Sequence, residues 1–154
     1  MHSQPKKEIL VLPGWKIEYD REATTAVYGA KPPRGPAACA CGSCRNWCAS
    51  RERLLTIDFR NLLADLGIPF DHEIEVYHNG RLENGLHSYG GWYHFIGRVL
   101  FGERECSPNV VYGSFSAYFH SKPALLADGF IGQSVVQLEI EAQVPWLSDV
   151  PEEF

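Results

Sequence analysis

The sequence has no long hydrophobic run, and this excludes a helix that spans a membrane. No stretch approaches the roughly 20 consecutive apolar residues that cross a bilayer. The first residues include two lysines, Lys6 and Lys7, but the apolar run that follows, residues 9–12, is too short for the core of a signal peptide. We therefore expect a cytoplasmic protein that does not bind membranes, in a compartment where thiols stay reduced.

The chain also lacks the short motifs that mark common catalytic sites. It contains no G-x-S-x-G elbow, no Walker phosphate loop and no H-E-x-x-H metal motif. Its formal net charge is −5, whereas domains that bind nucleic acid are usually basic overall. These absences favour a non-enzymatic protein without a nucleic-acid partner, and they leave a protein partner open.

The composition is that of a globular protein, with 45% hydrophobic and 12% aromatic residues. A chain of 154 residues buries roughly two-thirds of its unfolded surface and needs no disulfides to fold. Its five cysteines, an odd number, argue against a closed disulfide framework. We predict a single α+β domain over residues 1–144 and an acidic, proline-containing tail over residues 145–154 that is ordered only in part.

Alternation of apolar and polar residues predicts a mainly antiparallel sheet. Four predicted strands follow one another late in the chain without intervening helices, which favours antiparallel neighbours over parallel units with crossover helices. The first two of these four are expected to pair as a hairpin with a long loop. The predicted strands cover residues 8–12, 15–20, 24–28, 72–78, 92–101, 110–120 and 133–144.

A stripe of side chains at helical spacing predicts one long helix that packs against the sheet. Ser43 is its expected N-cap and Gly67 its expected C-terminal cap, with Pro69 preventing continuation. The β-branched pair Thr56 and Ile57 weakens the middle, so two helices in series are the alternative. The stripe consists of Cys44, Cys48, Arg51, Leu55, Phe59, Leu62 and Leu66.

Four cysteines fall within ten residues at the start of this helix, after the proline-rich segment 31–36. They have the spacing C-x-C-x2-C-x3-C and are Cys39, Cys41, Cys44 and Cys48. Between residues 31 and 53 there are five Lys or Arg residues and one acid, a balance that lowers thiol pKa values and favours the thiolate. Because four thiolates can hold zinc in a tetrahedron, we predict a structural zinc site formed by these four residues.

Four alternatives to this four-cysteine zinc site remain open. Only Cys41 and Cys44 form a standard C-x2-C half-site, so a closed zinc site needs Cys39 or Cys48 in addition, or histidines from the sheet. The candidate histidines are His72, His78, His87, His94 and His120.

Packing alone explains Cys44 and Cys48, which continue the helix stripe, but it does not explain Cys39 and Cys41. A redox role would use a reversible disulfide between Cys41 and Cys44, and a metal-free protein would bind a partner through an acidic sheet face.

Three segments resemble a group of small uncharacterised bacterial and phage-borne proteins with a C-x-C-x2-C-R-N signature. They are residues 39–47 (CACGSCRNW), residues 66–68 (LGI) and residues 89–97 (YGGWYHFIG), and the resemblance covers residues 15–101. It implies no catalytic role, but it singles out Cys41, Cys44, Arg45 and Asn46. Arg45 and Asn46 are then expected either to hydrogen-bond the preceding loop and hold the thiols, or to lie on the helix surface.

Overall fold

Seven antiparallel strands form one sheet in the computed structural model, which describes residues 6–154. The strands are β1 (Glu8–Leu12), β2 (Trp15–Tyr19), β3 (Glu75–Arg81), β4 (His87–Phe101), β5 (Val110–Tyr112), β6 (Phe115–His120) and β7 (Val135–Val144). Their order is β1-β2-β4-β7-β6-β5, with β3 also paired to β4. The predicted antiparallel α+β fold is confirmed. The domain predicted over residues 1–144 includes residues 1–5, which lie outside the described part.

The long strand β4 organises the sheet. Along one edge it pairs with β7 over residues 87–96. Along its other edge it pairs with β3 over residues 87–92 and with β2 from residue 97 onwards. The hairpin of β3 and β4 agrees with the sequence, although β3 begins three residues later than predicted. Residues 93–96 of β4 therefore have no neighbouring strand on this edge, because they lie between the parts that pair with β3 and with β2.

Residues 24–28, which we predicted as a strand, lie instead in a helix, α1 (Arg21–Ala30). Asp20 begins this helix, because its side chain accepts a 3.0 Å hydrogen bond from the Ala23 amide. The strand prediction was wrong because a short apolar run has no decisive period, whereas an aspartate cap is a specific helix signal.

Helix α1 completes the open stretch of the β4 edge with two side chains one turn apart. The Thr24 hydroxyl accepts a hydrogen bond from the Ile96 amide at 2.9 Å. The Tyr28 hydroxyl donates to the His94 carbonyl at 2.7 Å and lies 3.2 Å from the His94 amide, which donates to it. Both side chains are buried, so a helix supplies the hydrogen bonds that a neighbouring strand would have made.

Two helices in series, α2 (Gly42–Leu54) and α3 (Ile57–Leu66), replace the predicted single long helix. The chain becomes extended at Leu55 and Thr56, and the Thr56 hydroxyl caps α3 by accepting a hydrogen bond from the Phe59 amide. Gly67 ends α3 with a φ of 84°, as expected of a glycine cap. The single-helix prediction is wrong because a capping threonine restarts the helix where the sequence only indicated weakness.

The predicted strand over residues 110–120 is a two-stranded hairpin, formed by β5 and β6. Gly113, with a φ of 63°, makes the turn between Tyr112 and Phe115. The ring of Phe59 from α3 meets both of these aromatic side chains edge-on, with centroids 5.1 and 5.0 Å away. The hairpin thus contributes to the core that α2 and α3 form on one face of the sheet.

A buried ion pair joins α2 to the segment before β3. The Arg51 guanidinium donates to both carboxylate oxygens of Glu73, at 2.7 and 3.0 Å, and the Trp47 indole N–H donates to the same carboxylate. Glu73 is fully buried and the Arg51 side chain is 10% exposed. Arg51, which the sequence placed in an apolar stripe, therefore reaches the core as half of an ion pair.

Residues 145–154, the predicted tail, lie against α2 and β4. The side chain of Asn46, fully buried in α2, accepts hydrogen bonds from the Leu147 and Ser148 amides at 2.6 and 3.1 Å. Its amide group donates to the Pro145 carbonyl at 3.1 Å. Asn46 thus binds the chain that follows β7 and not the loop that precedes α2.

His94 lies on the sheet face opposite α2 and α3 and is fully buried. Its Nε2 atom is 3.0 Å from the Gln137 side-chain oxygen, and its Nδ1 atom is buried without a hydrogen-bond partner among the described residues. Burial lowers the pKa of His94 below its usual 6.5, against a smaller opposing effect of the Gln137 hydrogen bond. His94 is therefore held as a neutral imidazole in the folded state.

We expect acid to destabilise the protein through His94. Between its folded pKa and 6.5 the unfolded chain binds more protons, so the free energy of unfolding is highest above pH 6.5 and falls as the pH drops below it. One such group changes the free energy of unfolding by at most about 1.4 kcal/mol per pH unit. Urea unfolding of the wild type and of His94→Gln at several pH values measures this. If the free energy of unfolding falls equally steeply with decreasing pH in both proteins, His94 is not the group responsible, since the variant lacks it.

Candidate metal centre

The segment that delivers the cysteines is shaped by prolines and one glycine. After residues 31–35 a short 3-10 helix, Pro36–Ala38, leads directly to Cys39. Gly35 has a φ of 49°, and a Cβ atom at this position would overlap the Glu73 carbonyl oxygen. Only glycine satisfies both conditions without displacing the backbone. The cysteine segment is thereby held against the residue that forms the buried ion pair with α2.

Cys41, and not the predicted Ser43, is the N-cap of α2. Its extended backbone precedes the first helical residue, Gly42, and its sulfur accepts a hydrogen bond from the Cys44 amide at 3.4 Å. This is the cap-to-third-residue bond that serine or aspartate usually makes. Capping brings the Cys41 and Cys44 sulfurs to the same end of the helix, where unpaired amides and the helix dipole favour negative charge.

Three of the four predicted ligands come together. The sulfur atoms of Cys39, Cys41 and Cys44 all lie within 4.8 Å of one another, and those of Cys39 and Cys41 are 3.2 Å apart. Tetrahedral zinc, with Zn–S bonds of 2.3 Å, requires sulfurs about 3.8 Å apart, so small side-chain rotations suffice to bind it. Cys39 and Cys41 are exposed and Cys44 is half-buried. The three thiols therefore form a group at the protein surface.

Two of the thiols, Cys39 and Cys44, differ in how readily they ionise. Hydrogen bonds from the Cys41 backbone, and then from the Cys41 and Cys44 side chains, lower the pKa of Cys39. Burial, followed by hydrogen bonds to Cys41 and Cys39, raises the pKa of Cys44. Cys39 thus carries negative charge more readily than Cys44. A metal ion must displace the remaining protons, so its affinity will rise with pH.

Cys48, the fourth predicted ligand, lies one helical turn beyond Cys44 and outside this group. It is half-buried, and burial raises its pKa. Its role as a zinc ligand stays a prediction. The fifth cysteine, Cys106, is exposed in the turn before β5 and is also outside the group.

None of the five candidate histidines belongs to the cysteine group in the described part of the chain. His78 and His87 instead lie side by side on the β3–β4 hairpin, with Nε2 of the first 2.8 Å from Nδ1 of the second. The His87 Nε2 atom is 2.7 Å from Glu152, and the His78 Nδ1 atom is 3.1 Å from the Ser43 hydroxyl. The sequence predicted neither this chain of hydrogen bonds nor its link to residues 145–154. The one sequence signal was that His78 shares a strand face with apolar residues, which indicates an inward-facing side chain. Its hydrogen-bond partners come from distant segments, so the sequence could not identify them.

The remaining histidines have other partners. His72 lies 2.8 Å from the carboxylate of its neighbour Asp71, and His120 lies 3.8 Å from Glu139. The Nε2 atom of His94 contacts the Gln137 side-chain oxygen. The candidate metal centre of this structure is therefore a group of three cysteines.

A cleft of about 490 Å³ borders the cysteine group. One side is formed by the proline-rich segment 31–36 and the other by residues 125–128, and Cys39 and Cys44 both contribute to its lining. Lys31 and Asp128 form an ion pair that links the two sides. The cysteine group thus adjoins a preformed space of the size that small ligands occupy.

No family model matches this chain, and no match was found among curated proteins or solved structures. The resemblance to proteins with the C-x-C-x2-C-R-N signature consequently stays a prediction. The helices described here are all too short, or too polar, to cross a membrane.

Proposed function

We propose that this protein binds one zinc ion through Cys39, Cys41 and Cys44 and acts as a zinc-binding interaction module. The observation that carries the proposal is the convergence of three sulfur atoms within 4.8 Å of one another at the capped start of α2. Two of these residues lie in a loop where packing does not account for them. Zinc bound here would join the loop to the helix and make the loop's position dependent on the metal.

The choice of zinc follows from the donors. Thiolates select soft or borderline ions such as zinc and monovalent copper, and they disfavour magnesium and calcium, which prefer oxygen ligands. Three thiolates and one divalent ion have a net charge of −1. The cations nearby in the sequence, Lys31, Arg34 and Arg45, favour that charge.

The reduced protein is expected to contain close to one zinc per chain after purification without chelators. Cys39→Ser, Cys41→Ser and Cys44→Ser should each lower the zinc affinity at least tenfold, because each removes a thiolate ligand. Elemental analysis and competition with a chromophoric chelator measure both quantities.

Cys106→Ser is the matched control, since Cys106 is exposed and outside the group. Wild-type protein that neither retains zinc nor binds it when supplied would overturn the proposal. Cys48→Ser tests the fourth predicted ligand, and an affinity equal to that of the wild type would restrict the site to three cysteines.

A thiol redox function is the second candidate, and one observation favours it. The sulfurs of Cys39 and Cys41 are 3.2 Å apart, and Cys39 is an exposed thiol with a lowered pKa. These features favour a Cys39–Cys41 disulfide over the Cys41–Cys44 disulfide that the sequence indicated. In the reaction the two thiols would lose two electrons and two protons to an external disulfide, which becomes two thiols.

This candidate predicts that oxidised glutathione converts the metal-free protein to a form with one Cys39–Cys41 disulfide. Mass spectrometry after alkylation and proteolysis identifies the pair, and dithiothreitol should restore both thiols. Cys44→Ser should still form the disulfide, whereas Cys39→Ser should not. If Cys39 and Cys41 remain reduced at a concentration of oxidised glutathione that converts a free dithiol to its disulfide, the redox function is eliminated.

A further inference from the structure

The three cysteines provide one ligand fewer than tetrahedral zinc requires. Structural zinc sites are closed by four protein ligands, whereas sites with three protein ligands keep a position for an external molecule. Within residues 6–154 the group contains Cys39, Cys41 and Cys44 and no fourth side chain. Cys39 and Cys41 are exposed, so a fourth position on the metal is accessible from solvent or from the adjoining cleft.

The cleft beside the group has the features of a ligand site. It has a volume of about 490 Å³ and is lined by Cys39 and Cys44 together with prolines and other apolar side chains. The ion pair between Lys31 and Asp128 links its two sides, so these two opposite charges are already paired with each other. Two oppositely charged residues in the lining, Arg34 and Glu75, form no ion pair among the described residues.

The combination of soft metal, cation and anion defines a ligand chemistry. A thiol matches the remaining position of a thiolate-bound zinc. A carboxylate matches Arg34, and an ammonium group matches Glu75. We infer that the cleft binds a low-molecular-weight amino acid thiol, with its sulfur on the zinc and its two charged groups on Arg34 and Glu75. This inference rests on the proposed zinc site.

Binding would require no oxidation or reduction. The S–H bond of the ligand breaks, its proton passes to solvent, and the sulfur forms a bond to the metal. The complex then has four thiolates around the metal. Because the metal accepts only one further ligand, one thiol is expected to bind per chain.

Cobalt in place of zinc provides the readout, because the visible bands of tetrahedral cobalt change with the number of thiolates bound to it. The full chain loaded with cobalt would be titrated with L-cysteine under reducing, oxygen-free conditions that include a non-thiol reductant. We expect a saturable spectral change with one equivalent of thiol, and cobalt that remains with the protein on gel filtration. L-Serine, which has the same charged groups without the sulfur, should cause no change.

Three further thiols separate the roles of the two charged residues. Cysteamine lacks the carboxylate, 3-mercaptopropionate lacks the ammonium group, and 2-mercaptoethanol lacks both. Arg34→Gln should lower the affinity for the two thiols that have a carboxylate, L-cysteine and 3-mercaptopropionate, by about tenfold and leave the affinity for cysteamine unchanged. Glu75→Gln should lower the affinity for L-cysteine and cysteamine to a similar extent and leave the affinity for 3-mercaptopropionate unchanged.

The outcomes distinguish this inference from the proposed function on which it rests. A protein that binds cobalt but shows no spectral change with any thiol would overturn the inference and leave the zinc site intact. Removal of cobalt from the protein by L-cysteine would also overturn it, because the thiol then competes with the site. Equal affinities for all four thiols would eliminate the roles of Arg34 and Glu75. Failure of the wild-type chain to bind cobalt or zinc would overturn the proposed function itself.

Discussion

Arg51→Ala is expected to lower the free energy of unfolding by about 3–5 kcal/mol, the cost of leaving one member of a buried ion pair without its partner. In the wild type the Glu73 carboxylate is fully buried and receives two hydrogen bonds from Arg51 and one from Trp47. After the substitution, the indole alone remains to solvate a charge that water cannot reach. Urea denaturation followed by circular dichroism measures the loss.

The same reasoning predicts how a double substitution behaves. Arg51→Met combined with Glu73→Leu replaces both charges by apolar side chains, so it should cost less than the sum of the two single changes. Arg45→Ala is the matched control, because Arg45 is exposed on the same helix, and it should change the free energy by no more than about 0.5 kcal/mol. A cost below about 1 kcal/mol for Arg51→Ala would show that the pair contributes little to holding α2.

Asn46→Ala is expected to have the second largest effect, a loss of about 2–4 kcal/mol, because three hydrogen bonds to residues 145–148 depend on this one buried side chain. The substitution removes the side-chain acceptor of the Leu147 and Ser148 amides, and it leaves the Pro145 carbonyl with only the 3.5 Å hydrogen bond from the Ser50 hydroxyl. Residues 145–154 would then separate from α2 more readily than the rest of the protein unfolds. Amide hydrogen exchange at Leu147 and Ser148 should therefore accelerate more than exchange in β7.

Asn79→Ala provides the comparison for Asn46→Ala. Asn79 is exposed, and its side chain forms a single hydrogen bond of 3.4 Å to the Ser88 hydroxyl. Its removal should change the free energy of unfolding by less than about 0.5 kcal/mol. Unchanged protection of the Leu147 and Ser148 amides in Asn46→Ala would show that other contacts hold residues 145–154 in place.

Local patterns predicted the parts of the fold that local physics controls. Alternation correctly placed β2, in which Trp15, Ile17 and Tyr19 are buried, and it placed β7 to within two residues. Gly67 ended a helix as predicted, because a left-handed cap is a property of the chain around one residue. These features need no knowledge of distant segments.

The errors arose where distant segments decide the outcome. The segment over residues 24–28 has an apolar pattern that suits either a strand or a helix, and the β4 edge accepts it as a helix through Thr24 and Tyr28. Arg51 fits an apolar stripe by position, but its charge is accommodated only because Glu73 lies opposite it in the fold. Asn46 was expected at the preceding loop or on the surface, and it binds residues about a hundred positions later.

For the site, the spacing of the cysteines along the chain was sufficient to predict a cluster of thiols in basic surroundings at the start of a helix. Ten residues of chain cannot separate such side chains widely, and proline prevents the preceding segment from joining a regular element. Only the tertiary structure decided which of them form a group. Helix α2 moves Cys48 one turn away, whereas Cys41 as the cap turns the chain so that Cys39 and Cys44 meet it. The adjoining cleft with Arg34 and Glu75 also required the fold, because its lining comes from segments that only the sheet brings together.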